Sequence, residues 1–239
     1  MPPARPVPDL QVRRAADRFV TTAEGRRTHH AFSFGPHYDP ANLGFGPLLV
    51  ANDDTVLPGH GYPEHPHSDV EIVTWVLAGG LRHEDSRGHG GLVVPGTAQR
   101  LSAGDGVRHT ETCDAGASSE VRFVQMWLRP DEPGGTPTYA VHDAGDALAT
   151  GEFVPVAGVG TAAPLGTRGA VLHVARPAPG ARLRLPDAPA VHVHVATGDV
   201  DLEGAGRLGE GDTVRWRGAG GAELRAIGGN AEVLVWALP

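Results

Sequence analysis

Lysine is missing from this sequence, whose 20 basic side chains are all arginine. Because a Schiff base needs the amine of a lysine, pyridoxal-type and class I aldolase-type chemistry are excluded. Cysteine occurs once, at Cys113. A single cysteine cannot form an intramolecular disulfide, and it excludes a zinc finger built from cysteines. We expect the Cys113 thiol to lie in a surface loop.

Long apolar runs and an excess of positive charge are also missing. No stretch of about 18 apolar residues occurs, and residues 1–6 lack the apolar segment of a secretory signal. The formal charge of -8 argues against a broad phosphate-binding surface, because nucleic-acid affinity depends on clustered cations. We therefore expect a cytoplasmic protein that binds neither a membrane nor a nucleic acid directly. No motif sets an oligomeric state, and we expect a monomer.

Glycine and proline are abundant, with 34 and 21 residues, and they separate short apolar runs. Residues 71–77 and 121–128 are apolar runs of strand length, and residues 78–80 and 104–106 are rich in glycine. Short strands with turn signals between them are typical of a β-sandwich or barrel. The sequence therefore predicts an all-β globular protein, and 239 residues suffice for one large or two modest domains.

Residues 129–137 form the clearest linker, because they are rich in proline and glycine and contain no large apolar side chain. The segments on its two sides are weakly similar, since residues 191–200 resemble residues 73–81. We therefore predict two β-barrels of related build. The N-terminal barrel would cover residues 1–130 and bind a metal ion, and the C-terminal barrel would cover residues 138–239.

Two short motifs supply the metal-type side chains of the N-terminal half. His65 and His67 are separated by one residue at the start of a predicted strand, and His109 and Glu111 have the same spacing. Because successive side chains of a strand alternate between its faces, each pair points to one side of its strand. The first pair alone is better explained by coincidence among 13 histidines. A second pair after a glycine-rich turn favours a shared site, with three nitrogens and one carboxylate oxygen around a divalent metal ion.

The remaining candidate histidines are interpreted as non-ligands. His29, His30 and His37 are left out because a histidine at a strand end is usually solvated or hydrogen-bonded. In the C-terminal half His192 and His194 form a second pair, but no His-x-Glu motif follows them. Alignment of the two halves also places this pair several residues after the metal-type positions. We therefore predict a metal-free C-terminal barrel, with these two histidines on a polar or half-buried strand face.

Several motifs resemble those of known families. Residues 59–71 resemble the first motif of the cupin superfamily, Gly-x5-His-x-His-x3-Glu, although the glycine expected after it comes one place late. Further motifs resemble those of the pirin family, whose members are bicupins, and this similarity extends from about residue 11 to residue 140. The resemblance implies two cupin-type jelly-roll barrels in one chain. The motifs lie at residues 32–35, 38–40, 44–48, 65–67, 83–86 and 102–111.

The resemblance to pirins also implies a set of metal ligands. In that family the ligands fall at the positions of His65, His67, His109 and Glu111, the same side chains that strand alternation selects. Many other cupins use the glutamate of the first motif, which is Glu71 here, so the choice of carboxylate needs a test. Three imidazoles and one carboxylate suit one divalent transition-metal ion per chain. We expect Fe(II), and Mn, Co, Ni, Cu or Zn would also fit.

Some pirin-like bicupins are similar to quercetin 2,3-dioxygenases, which open the heterocycle of a flavonol with O2 and release carbon monoxide. This resemblance implies a flavonol-like aromatic substrate, with Glu111 acting both as metal ligand and as catalytic general base. An alternative is a metal-binding regulatory protein that acts through protein partners, as eukaryotic pirins are described. A third interpretation is a metal-binding cupin that acts on another small molecule or detoxifies electrophiles. The metal ligands alone do not separate these functions.

Overall fold

The computed structural model describes residues 9–239, and residues 1–6, which lack the apolar segment of a secretory signal, lie outside this range. Within it, nearly all regular structure is β-strand, which confirms the predicted all-β class. In chain order the first strands are β1 (Asp9–Arg13), β2 (Phe19–Ala23), β3 (Arg26–His30), β4 (Leu48–Val56), β5 (Gly61–His67), β6 (Glu71–Ala78), β7 (Leu81–Asp85), β8 (Gly90–Val93), β9 (Thr97–Ser102), β10 (Val107–Cys113), β11 (Val121–Leu128) and β12 (Thr138–Asp143). They are followed by β13 (Val154–Gly158), β14 (Val171–Ala175), β15 (Arg182–Arg184), β16 (Ala190–Thr197), β17 (Val200–Leu202), β18 (Gly206–Leu208), β19 (Thr213–Arg217), β20 (Glu223–Ala226) and β21 (Glu232–Leu238).

Helical structure is limited to two short segments in the described part of the chain. A 3-10 turn covers Ala15–Asp17, and the helix α1 covers Gly145–Leu148. Neither segment, nor any other helix among residues 9–239, has the length and apolar character that a membrane span needs.

The described strands form four sheets, a large one and a small one in each half of the chain. In the N-terminal half a seven-stranded sheet has the order β12-β9-β6-β11-β4-β3-β2, and a four-stranded sheet has the order β5-β10-β7-β8. In the C-terminal half the corresponding orders are β1-β19-β16-β21-β14-β13 and β15-β20-β17-β18. Apolar side chains of the large and the small sheet pack together within each half. Each half is therefore a two-layered β-structure around its own core.

Strand β6 shows why its sequence is apolar on both faces. Val76 packs in the core of the N-terminal half, whereas Val73 and Trp75 pack in a cluster that includes C-terminal side chains. All three residues are fully buried. A strand in the middle of a sheet that is covered on both sides has no solvent-facing positions, so a continuous apolar run replaces simple alternation. Burying each such side chain contributes roughly 1.5–3 kcal/mol to stability.

The two halves share this cluster of buried residues. Trp236 of β21 points its indole nitrogen to the sulfur of Met126 in β11, at 3.1 Å. Phe32 of the N-terminal half and Leu172 of the C-terminal half belong to the same cluster, and both are buried. Apolar side chains of the two large sheets therefore pack against each other in one buried cluster.

The strands divide between the halves differently from the predicted boundaries at residues 130 and 138. Strand β12 follows the linker at residues 129–137, yet it pairs with β9 of the N-terminal half. Strand β1 is the first described strand and lies within the predicted N-terminal barrel of residues 1–130, yet it pairs with β19 of the C-terminal half. The proline-rich and glycine-rich segment marks a turn. A turn signal does not determine which sheet the next strand joins.

Two expectations about individual side chains are wrong. His192 and His194 are each only 1% exposed, because their strand β16 lies inside the large C-terminal sheet at the contact between the halves. The ring of His192 stacks on Phe32 with centroids 5.7 Å apart. Cys113 does not lie in a surface loop, because β10 extends to it. Its side chain is 2% exposed and packs in the same N-terminal core cluster as Val121.

Candidate metal centre

Strands β5 and β10 bring the predicted ligands to one place. They pair antiparallel, with His109 opposite His65 and, after a shift in register, Glu111 opposite Tyr62. Gly61 permits this close approach, because a Cβ atom at that position would lie 2.2 Å from the carbonyl oxygen of Glu111. The alternation predicted from the sequence is visible in the burial of β10, where every second side chain points inward.

The three predicted histidines face one another. The ring centroid of His109 lies 4.4 Å from that of His65 and 5.0 Å from that of His67, and the latter two are 4.8 Å apart. One nitrogen atom of each ring lies within 4.8 Å of the other two. The same limit joins a carboxylate oxygen of Glu111 to His109 and His83. The predicted ligands thus fall into two groups that share His109, and the second group adds His83 of β7.

Hydrogen bonding leaves one nitrogen of each of these three rings available. Nδ1 of His65 lies 2.8 Å from the carbonyl oxygen of Pro63. Since a carbonyl only accepts, a neutral His65 ring carries its proton on Nδ1 and a lone pair on Nε2. Nε2 of His67 and Nε2 of His109 are buried and have no hydrogen-bond partner within residues 9–239. Such atoms are costly to bury alone, and coordination of a metal ion would compensate them.

Burial keeps the rings of His67 and His109 neutral. It lowers the pKa of His67 to about 4, with a smaller contribution from the nearby His65. It lowers the pKa of His109 to about 2, again with smaller contributions from the neighbouring histidines. Neutral imidazoles are the form that binds metal ions, so these rings fit a metal centre at physiological pH.

The carboxylate of Glu111 is held by Gln125. Glu111 is 1% exposed, and Nε2 of Gln125 lies 2.9 and 2.8 Å from its two oxygens. The amide itself is oriented by Trp127, whose indole N–H donates to Oε1 of Gln125 at 3.0 Å. Burial raises the pKa of Glu111 to about 7, against the lowering effect of Gln125 and with a further increase from Asp54. This carboxyl group is therefore suited to exchange a proton near neutral pH.

A cavity of about 280 Å³ lies beside these side chains and is lined by His65, His67 and Glu111. Phe34 and Trp127 form part of its wall, with ring centroids 5.6 Å apart in an edge-to-face arrangement. Aromatic walls combined with a few polar groups are typical of sites for small apolar ligands. The candidate metal centre therefore opens onto a cavity that suits a flat aromatic molecule.

A second buried carboxyl group, Asp54, lines the same cavity. It accepts hydrogen bonds from the hydroxyl groups of Thr28 at 2.5 Å and Tyr62 at 2.6 Å. Burial raises the pKa of Asp54 to about 6, although the two hydrogen bonds act in the opposite direction. The guanidinium of Arg26 lies over the ring of Tyr62, 4.3 Å from its centroid. The cavity therefore contains ionisable groups beyond the predicted ligands.

Other residues considered as ligands belong to neither group of metal-type side chains. Glu71 is buried, accepts a 2.7 Å hydrogen bond from Ser102, and belongs to neither group of metal-type side chains. His30 lines the cavity but is bound to Asn52 at 2.9 Å. His37 stacks on Phe19 with centroids 5.1 Å apart, and His29 lies in the partly exposed part of β3. None of the three histidines joins the two groups found within the described residues.

Comparison with known proteins assigns this chain to a family. A family model described as Pirin matches residues 11–128, which contain all four predicted ligands. A Mycobacterium tuberculosis protein that is provisionally named a quercetin 2,3-dioxygenase is 47% identical over 233 residues, covering 95% of this chain and 94% of that protein. The chain belongs to the pirin family.

Solved pirin structures share the whole fold. The crystal structure of YhhW from Escherichia coli matches this pirin with a TM-score of 0.85 and 28% identity, covering 96% of this chain and 97% of that chain. The structure of the same protein in complex with nickel(II) matches with a TM-score of 0.81 and 27% identity, covering 96% and 99%. These matches confirm the predicted bicupin architecture. They also show that a related pirin binds a metal ion.

Sequence reasoning misses His83 and Gln125. Alternation identifies the residues that share a face of one strand, but it does not tell which strand lies beside it. His83 occurs in the pirin-like motif at residues 83–86, and Gln125 is a polar residue inside the apolar run at residues 121–128. These two features are the signals that could have pointed to them.

Proposed function

We propose that this pirin is a metal-dependent dioxygenase that opens the heterocycle of a flavonol with O2 and releases carbon monoxide. The main support is the position of His67, whose unpartnered Nε2 lies in one group with His65 and His109 and whose side chain lines a cavity with aromatic walls. A flat aromatic substrate with ionisable hydroxyl groups suits such a cavity. The names of two relatives support this substrate class: the mycobacterial protein and the E. coli quercetin 2,3-dioxygenase, which is 39% identical over 130 residues and 54% of this chain.

The site would hold one divalent transition-metal ion per chain. His65, His67 and His109 would bind it through Nε2, and Glu111 through its carboxylate. Fe(II) is the metal we propose first, because an imidazole and carboxylate donor set suits it, and Mn, Co, Ni, Cu and Zn can use the same donors. The nickel(II) complex of the E. coli pirin supports metal binding by this fold.

Glu111 would also act as the general base. A divalent ion at this site would stabilise the oxyanion of the substrate. The carboxylate of Glu111 would accept the proton of the flavonol 3-hydroxyl. Gln125 keeps the carboxylate oriented, and the rings of Phe34 and Trp127 would position the flat substrate.

Turnover of quercetin tests the proposed reaction directly. The protein is loaded in turn with Fe(II), Mn(II), Co(II), Ni(II) or Cu(II), and its metal content is measured. Quercetin is then added in air, and the flavonol absorbance and the released CO are followed. We expect catalytic loss of quercetin with matching CO release. If protein of measured metal content gives no turnover with any of these metals, the dioxygenase proposal is wrong and the regulatory alternative becomes the better one.

A substitution tests the role of Glu111. Glu111→Gln keeps an oxygen that can bind the metal but cannot accept a proton. Per bound metal and at saturating quercetin, we expect turnover to fall by roughly 10²–10⁴-fold, with partial recovery at higher pH where the flavonol ionises unaided. Glu71→Gln is the matched control, because it changes a buried carboxyl group outside the cavity. Parental turnover in metal-loaded Glu111→Gln would leave Glu111 a ligand only.

A further inference from the structure

Two buried side chains of β7 lie beside His109 and have no role in the function proposed above. Nδ1 of His83 lies 3.3 Å from Nδ1 of His109. On the other side of the His83 ring, Nε2 lies 3.8 Å from Oδ2 of Asp85, and the side chains of His83 and Asp85 are both 0% exposed. Strand β7 pairs with β10 so that His83 stands opposite Glu111 and Asp85 opposite His109. The carboxylate of Asp85 thus lies next to the ring of His83, and that ring lies next to His109 in the candidate metal centre.

Electrostatics decides which nitrogen of each ring carries its proton. Two neutral rings that meet at Nδ1 form a hydrogen bond only if one Nδ1 donates and the other accepts. If His83 donated, its Nε2 lone pair would face the carboxylate of Asp85, and His109 would carry a proton on Nε2, which has no acceptor within residues 9–239. If His109 donates, the N–H at Nε2 of His83 faces the carboxylate. Only the second arrangement makes every contact attractive.

We propose that Asp85 and His83 are positioning residues that fix His109 as a metal ligand through Nε2. This inference rests on the metal centre of the proposed function. Asp85 keeps the proton of His83 on Nε2, so Nδ1 of His83 accepts a hydrogen bond from Nδ1 of His109. That bond fixes the plane of the His109 ring and directs its Nε2 lone pair to the centre. Partners of this kind typically change metal affinity by roughly 10–100-fold.

The two positioning residues are themselves held rigidly. The ring of Tyr139 stacks on His83 with centroids 5.0 Å apart and on His89 with centroids 5.7 Å apart. Oδ1 of Asp85 accepts hydrogen bonds from the backbone N–H groups of Arg87 and His89 at 2.8 and 3.0 Å. At 3.8 Å the carboxylate acts on His83 through its charge rather than through a hydrogen bond. Rotation of the Asp85 side chain would break its hydrogen bonds to the backbone N–H groups of Arg87 and His89.

Two substitutions at His83 separate its hydrogen bond from its packing. His83→Phe keeps a ring against Tyr139 but cannot accept a hydrogen bond. His83→Asn loses the ring, but its amide oxygen can take the place of Nδ1 as the acceptor for His109. His89→Phe is the matched control, because His89 contacts the same Asp85 and the same Tyr139 but has no hydrogen bond to His109.

The first readout is the dissociation constant for Ni(II), measured on the full chain by competition with a chelator. We expect His83→Phe to weaken binding by roughly 10–100-fold. His83→Asn should recover most of this loss, and His89→Phe should bind like the parent. Thermal unfolding of the metal-free variants establishes that each is folded. Parental Ni(II) affinity in folded His83→Phe, or equal losses in the Phe and Asn variants, would overturn the proposal.

The second readout needs no substitution. Long-range ¹H–¹⁵N correlation spectra of the Zn(II)-loaded parent report which nitrogen of each histidine is protonated. We expect His109 to be protonated on Nδ1 and bound through Nε2, and His83 to be protonated on Nε2. The reverse arrangement overturns the proposal. A parent that binds neither Ni(II) nor Zn(II) removes the metal centre and this inference together, whereas a parent that binds metal without quercetin turnover removes only the dioxygenase function.

Discussion

Trp75 and Glu232, which are 157 residues apart in the chain, share a 2.6 Å hydrogen bond from the indole Nε1 to Oε1 of the carboxylate. Trp75 lies in β6 of the N-terminal half, and Glu232 begins β21 of the C-terminal half. Nε of Arg176 also donates to this carboxylate, at 3.0 Å, so its charge is compensated. The bond from Trp75 is one of several polar contacts between the two halves, another being the hydrogen bond from Nη2 of Arg122 to the carbonyl oxygen of Ala196 at 3.0 Å.

Removal of this hydrogen bond should destabilise the protein. Trp75→Phe removes one of the two donors to Oε1 of Glu232, since Nη2 of Arg176 remains at 3.2 Å. We expect a loss of about 0.5–1.5 kcal/mol in the free energy of unfolding in addition to the smaller loss of packing. Trp216→Phe is the matched control, because the buried indole nitrogen of Trp216 has no hydrogen-bond partner within the described residues. Urea denaturation measures both variants. Equal losses would show that the Trp75 contact contributes only through packing.

Metal content should be one ion per chain, in the N-terminal half. Both groups of metal-type side chains found within residues 9–239 lie there. We expect elemental analysis of loaded protein to give about one metal per chain and His65→Ala to lower this value strongly. The double variant His192→Ala, His194→Ala should keep its metal, because these buried rings lie at the contact between the halves. A content near two, or loss of metal from a folded double variant, would contradict the metal-free C-terminal barrel.

The two glutamates should respond differently to neutralisation. Glu111 lies in the group of metal-type side chains that contains His83 and His109. Glu71 is hydrogen-bonded to Ser102 and belongs to neither group of metal-type side chains. We therefore expect Glu111→Gln to weaken Ni(II) binding and Glu71→Gln to leave the Ni(II) dissociation constant unchanged. Chelator competition measures both constants. The opposite pattern, with metal lost from Glu71→Gln and retained in Glu111→Gln, would mean that the other carboxylate is the ligand.

The carboxylate of Asp53 should make stability depend on pH. Burial alone would raise its pKa, but the nearby His194 ring and the hydrogen bonds and charge of Arg122 outweigh burial and hold the pKa well below 3.8. A lowered pKa of a carboxyl group means stability that is present above the unfolded value and lost as the pH falls toward the folded value. We expect Asp53→Asn to cost roughly 1–3 kcal/mol at pH 7, since Arg122 loses its more buried carboxylate partner and keeps the exposed Glu210 and the carbonyl oxygen of Ala196.

The same variant should lose less at low pH. The unfolded chain takes up a proton at Asp53 near the ordinary pKa, whereas the folded protein does so only at a much lower pH. The difference between parent and Asp53→Asn should therefore stay constant from pH 7 to about pH 5 and shrink as the pH falls below about 4. Urea denaturation of both proteins from pH 7 to about pH 3 measures the difference. A difference that is constant over this whole range would show that the Asp53 carboxylate contributes through its shape and hydrogen bonds rather than through its charge.

Strand alternation predicted the side chains of the candidate site from sequence alone. The period of two is a property of a single strand, so the shared faces of His65 with His67 and of His109 with Glu111 could be inferred without the fold. The same rule applies to Cys113, two residues after Glu111. The expectation of a loop thiol is wrong because it ended the strand too early, whereas β10 extends to Cys113.

The neighbours of these strands could not be inferred in the same way. The place of His83 beside His109 depends on the pairing of β7 with β10. The burial of His194 depends on the contact of its sheet with the other half, where its Nε2 lies 3.8 Å from Oδ2 of Asp53. Both arrangements result from packing between segments that are distant in sequence. No local pattern of residues encodes such contacts.

The exchange of β1 and β12 between the halves makes each half incomplete without sequence from the other side of the linker. A chain cut within residues 129–137 would yield a first fragment that carries β1 but exposes the edge of β9, and a second fragment that carries β12 but exposes the edge of β19. An unpaired strand edge is a template for the strand that fits it. Each separated fragment would therefore present a free strand edge that fits a strand of the other fragment, β9 for β12 and β19 for β1.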